Sequence, residues 1–139
     1  MSNMNTGQKT NYSGLSVDEQ LFLIEGEESL VAEAYSGQRI ALKLVEVTGF
    51  NEKNGKVIPG MTLTVLSPDG NVFLESDDLF ADTEGFLADD LVGFTATWTV
   101  DPNTVVGQTY TVKSRVWDKE GKGEATTEVP LKIIAAPVQ

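Results

Sequence analysis

Apolar side chains recur at every second position through most of the chain beyond residue 38. FTATWTV places Phe94, Ala96, Trp98 and Val100 on one face and Thr95, Thr97 and Thr99 on the other, the period of a strand with one buried face. QRIALKLVEV sets Ile40, Leu42 and Leu44 against Arg39, Lys43 and the more apolar Ala41, Val45 and Val47. TYTVKSRVW aligns Tyr110, Val112, Ser114 and Val116, with Thr111, Lys113, Arg115 and Trp117 opposite, and EATTEVPLKI aligns Ala125, Thr127, Val129, Leu131 and Ile133. Pro130 limits that last strand to an edge or a bulge, because proline has no N–H for a ladder.

Turn residues separate these runs. Asn54-Gly55 supplies the positive φ of a tight reversal. In MTLTVLSPDGNVFLES, Ser67-Pro68-Asp69-Gly70 reads as a type I turn closing a hairpin. Asp101-Pro102-Asn103 and DKEGKG end the strands before them. The segment LSVDEQLFLIEGEESLVAEAY is ambiguous: strands over residues 20–25 and 30–35 are expected, with a helix from Ser16 as the alternative that Gly26 would weaken by about 1 kcal/mol. Residues 1–14 show no periodicity and read as a disordered lead-in, 15–134 as the folded unit, and 135–139 as a loose tail. Short strands, Gly/Pro/Asn turns and no long helical pattern imply an all-β antiparallel sandwich or barrel.

Composition narrows the chemistry. The 139 residues fit one domain with its own core. A net charge of −11 opposes binding to nucleic acid or anionic membranes, which need clustered Lys and Arg. With no Cys and no His, disulfides, thiolate nucleophiles, the Ser-His-Asp triad and the preferred ligands of zinc and copper are missing. Oxygen-ligated cations such as Ca²⁺ are the metals that stay in play. No apolar run is long enough to cross a membrane as a helix. The polar opening MSNMNTGQKTNYSG lacks a signal-peptide core, and the other expectation for it is the tether of an exported protein whose leader precedes it.

VVGQTYTVKSRVWDKEGKGEATTEVPLKI resembles the closing strands of bacterial immunoglobulin-like or fibronectin type III-like domains, through Gly107, Tyr110, Val112, Val116, Asp118 and Gly121. The acidic insert and the WDKEGKGE ending are similar to those of small Bacteroidetes-type envelope lipoproteins. The resemblance covers residues 61–133 and departs from antibody domains in having no cysteine pair. It implies an immunoglobulin-like β-sandwich of about seven or eight strands, with Tyr110 as a corner residue whose hydroxyl bonds to backbone in the loop before its strand. By analogy it also implies a non-catalytic binding or structural module in the periplasm or on the cell surface, engaging a protein partner or its own copy, with a lipid tether if a leader exists.

ESDDLFADTEGFLADD, residues 75–90, holds seven carboxylates and no basic residue. Its spacing does not fit an EF-hand, whose ligands alternate before a glycine and a closing Glu. Three uses are open: a solvated crossover pinned to the sandwich by Leu79, Phe80, Phe86 and Leu87; a looser Ca²⁺ site of Asp77, Asp82, Glu84 and Asp89; or a partner-binding patch. The partner-binding candidates are Asp78, Asp90, Trp117 and Arg115, because no Lys or Arg occurs between residues 57 and 112. Trp117 lies opposite the core parity and is also the candidate sugar-stacking surface, whereas Trp98 alternates with core residues. No cofactor is expected beyond Ca²⁺. A hydrolase built on a carboxylate pair would need one acid with a raised pKa across a cleft and is the remote alternative.

Overall fold

The computed structural model describes residues 2–3, 8–29, 31–81, 85–87 and 93–136, and each long alternating run is a strand in it. Two sheets carry the fold. The larger runs β1 (Ser2–Asn3), β2 (Gln8–Ser13), β13 (Glu124–Ile133), β12 (Thr109–Asp118), β8 (Pro59–Leu66) and β9 (Val72–Glu75), with β5 (Glu33–Ala34) also against β13. The smaller runs β11 (Gly93–Thr99), β6 (Arg39–Thr48), β3 (Ser16–Ile24) and β4 (Glu27–Glu28). A two-stranded ribbon joins β7 (Lys56–Val57) to β10 (Phe86–Leu87). The pairs are antiparallel except β5 with β13, which is parallel. The two sheets pack face to face as an all-β sandwich.

The inward faces are those that the alternation marks. Ile40, Leu42 and Leu44 from β6 and Phe94, Ala96 and Trp98 from β11 pack with Met61, Leu63 and Val65 of β8 and Tyr110, Val112 and Val116 of β12. Ala125, Val129, Leu131 and Ile133 of β13 complete the larger sheet's contribution. Phe73 closes one side, edge-on to both Trp98 and Tyr110, with centroids 6.4 and 5.4 Å away. Val47 corrects the simple alternation: it was expected on the outer face, yet it is buried. Glu46 adopts φ 52°, which turns the strand by one position and returns Val47 to the core. The partner strand shifts with it, since Val17, Gln20 and Phe22 are its buried positions.

The N-terminal third departs most from expectation. Ser16 begins a strand rather than a helix, and Glu25-Gly26, both at positive φ, form the turn into β4. Strand β3 starts earlier than the expected 20–25, and β5 is a two-residue remnant of the expected 30–35. The segment read as a lead-in carries β1 and β2, the latter antiparallel to residues 124–128 of β13. Backbone then switches sheets at Gly14-Leu15 through a gap that only glycine permits: a Cβ on Gly49 would lie 2.4 Å from the Gly14 carbonyl oxygen, and one on Gly14 would lie 2.9 Å from the Gly123 Cα.

Strand β13 is thus covered at its outer edge by β2 over residues 124–128 and by β5 at 132–133. Pro130 falls between them. Lys132 donates its N–H outward to the Ala32 carbonyl, so by parity the missing N–H of Pro130 also faces outward, where no ladder partner is needed. After β13, the Ile134 N–H bonds to the Ala34 carbonyl and residues 135–136 leave the sheet; the rest of the expected loose tail lies outside the described residues. No helix among the described residues is long and apolar enough to cross a membrane.

Candidate functional site

The β6–β8 connection, the start of the acidic connection and the β12–β13 turn meet at one end of the sandwich. Lys53 and Lys56 exchange backbone hydrogen bonds of 2.8 and 3.1 Å across Asn54-Gly55, both at positive φ. Asp118, the last residue of β12, is buried and accepts from the N–H groups of Asn51 at 2.7 Å and Glu120 at 3.0 Å. Asn51 returns a hydrogen bond from Nδ2 to the Glu120 carbonyl. The Asp-x-x-Gly turn is therefore a clamp between two loops as well as a reversal.

The acidic connection leaves β9 and runs back along β8. Ser76 exchanges hydrogen bonds with Leu63, and the Leu79 N–H donates to the Met61 carbonyl. Asp78 sits at the anchor. Its Oδ1 accepts from the N–H groups of Met61 and Phe80, both at 2.9 Å, and its Oδ2 pairs with Lys119 Nζ at 2.6 Å. Lys119 also donates to the Phe80 carbonyl. Burial opposes ionisation of Asp78, but the Lys119 hydrogen bond and the two N–H groups outweigh it and hold the carboxyl below its ordinary value. A general acid needs the reverse shift.

Beneath this anchor, Phe80 stacks edge-on against Phe86 and Phe94, with centroids 5.6 and 5.7 Å away, and Phe50 lies 5.8 Å from Phe94. Phe86 is held by the β7–β10 ribbon opposite Val57. Two of the four apolar residues expected to pin the connection thus do so. The other two face water: Leu79 is 49% and Leu87 53% exposed. A cleft of about 330 Å³ is lined by Val47, Phe50, Asn51, Glu52 and Val57 among others, the last of these opposite Phe86 in the ribbon.

Of the proposed calcium ligands, Asp77 is exposed, whereas Asp82, Glu84 and Asp89 lie outside the described residues, as does Asp90 of the partner-binding set. No group of three metal-ligating side chains occurs among the described residues. Asp78 uses its carboxylate internally, on Lys119 and backbone.

Arg115 and Trp117 do come together, on the outer face of β12. The guanidinium lies 4.7 Å from the indole centroid and donates from Nε and Nη2 to Glu124 Oε2 at 3.1 and 2.8 Å. The indole lies across Gly60, its cross-strand neighbour, where a Cβ would approach ring atoms to 2.2 Å. Trp117 is half-buried by these partners, and the guanidinium occupies the ring face that a sugar would stack on. Tyr110 holds the opposite end: its hydroxyl accepts from the Val105 N–H at 3.1 Å, the corner contact that the resemblance implied. Alternation in the sequence marked Tyr110 and Trp117, but nothing in it marked Gly60 or Lys119, whose roles depend on cross-strand register. No protein-family model and no curated protein sequence matches the chain.

Proposed function

We propose that this chain is a non-catalytic immunoglobulin-like interaction module of a bacterial cell envelope that engages a protein partner. One observation carries the reading: Leu79 and Leu87 are exposed next to Phe80 and Phe86, which pack against each other and onto Phe94, with Asp78 anchored to Lys119 beside them. Exposed apolar side chains in a stretch whose sequence is strongly acidic favour a partner that is apolar with a basic rim. The strand order supports the module reading by analogy with immunoglobulin-like sandwiches, which serve many binding roles.

The test is recovery of partners from envelope fractions of the native host, with the chain as bait and a Leu79→Ser/Leu87→Ser variant as control. A partner retained by the parent, released by salt and lost by the variant supports the reading. Equal recovery by both, or none by either, overturns it.

A further inference from the structure

Strand β11 offers a second surface. It pairs with β6 on one side, and no strand pairs with its other side among the described residues. Backbone parity is set at its end, where the Val100 N–H donates to the Gln38 carbonyl and the Val100 carbonyl accepts from the Gly37 N–H. Val100, Trp98, Ala96 and Phe94 therefore turn their N–H and C=O groups toward β6. Thr95, Thr97 and Thr99 turn theirs along the free edge, in line with one another.

Open edges usually carry a charge, a proline or a bulge that discourages pairing. Two edge strands here follow that rule: β4 is Glu27–Glu28, and β9 is short, ends in Glu75 and has an irregular register beside it. GFTATWT has none of these devices.

The neighbouring charges indicate what would fit. Arg39 and Lys43 of β6 are exposed and lie directly across from Thr99 and Thr95. Neither belongs to an ion pair among the described residues, where the pairs are Arg115–Glu124 and Lys119–Asp78. An added strand would lie roughly 10 Å from β6, two strand spacings, within combined reach of a Lys or Arg and an acidic side chain. A second copy of this chain suits the edge less well. It would bring another −11 of charge and oppose cations with cations.

We infer that the free edge of β11 receives an extended segment of a partner protein as a further strand of the smaller sheet, with acidic side chains four residues apart facing Arg39 and Lys43. The inference rests on the interaction-module reading but names a different surface from the exposed leucines. Main-chain bonds to Thr95, Thr97 and Thr99 supply the adhesion, and the two cations supply selectivity.

The probe is an acetylated, amidated octapeptide alternating valine with threonine or glutamate, its two glutamates four residues apart, titrated into the isotopically labelled full chain and followed by amide resonances. Shifts centred on Thr95, Thr97 and Thr99 are expected, with binding weaker by about tenfold for a peptide with lysines in place of the glutamates. Thr97→Pro removes a donor that faces away from β6, so the ladder within the protein survives while peptide binding is lost. An Arg39→Glu/Lys43→Glu variant, altered only at exposed positions, should reverse the preference to the lysine peptide. Shifts elsewhere, equal binding of both peptides, or a concentration-dependent dimer abolished by Thr97→Pro without peptide binding would each overturn the inference. A host partner that still requires Leu79 and Leu87 would leave the interaction-module reading standing while β11 fails.

Discussion

Asp118 and Asp78 show two ways in which a carboxylate can be structural in an acidic chain. Asp118→Ala removes the acceptor of the Asn51 and Glu120 N–H groups; a loss of about 1–3 kcal/mol is expected in urea unfolding, with faster amide exchange at Asn51. Asp78 adds a pH dependence. Because its folded pKa is lowered, its contribution is fully present above the unfolded value of about 3.9 and is lost as pH falls through the folded value. The stability gap between the parent and Asp78→Asn should therefore be open near neutrality and narrow progressively as pH falls below about 3.9, read as urea midpoints. Gly60→Ala places a methyl where the Trp117 ring lies. In a Trp98→Phe background, where Trp117 is the sole indole, a red-shifted emission is expected; an unchanged spectrum would contradict the placement.

At the level of elements, strands with one buried face were legible because burial and period coincide. Phe94 to Val100, Tyr110 to Val116 and Ala125 to Ile133 all lie as the alternation sets them. Reading failed where backbone conformation overrides period. Glu46 at positive φ sends Val47 inward, and no residue preference announces a left-handed glutamate. Strand β2 does not show in the sequence for a different reason: QKTNYS has no alternation of apolar residues to mark it, although its backbone pairs along β13. Of the candidate site, the pinning phenylalanines and the corner tyrosine were readable. The Asp78–Lys119 anchor was not, since the two residues are distant in sequence and share no local pattern. The corner is testable as an element: Tyr110→Phe should cost about 1 kcal/mol and speed amide exchange at Val105, leaving the β12–β13 ladder protected.

The whole molecule is two sheets with their covered and uncovered edges distributed unequally. The larger sheet shields β13 with β2 and β5, and the smaller ends in β11 with its threonine amides directed outward. The acidic connection that links β9 to β11 is fixed at its start to the larger sheet, through Met61 of β8 and Lys119 just after β12. This asymmetry separates one end anchored by Asp78 and Lys119 from one uncharged edge flanked by cations. Hydrogen exchange along β11 in the free protein tests it most directly. Ala96, Trp98 and Val100 should be protected through their bonds to β6, while Thr95, Thr97 and Thr99 exchange rapidly. Equal protection of the two sets would show the edge to be covered, and equally rapid exchange of both would show that β11 is not held in the sandwich.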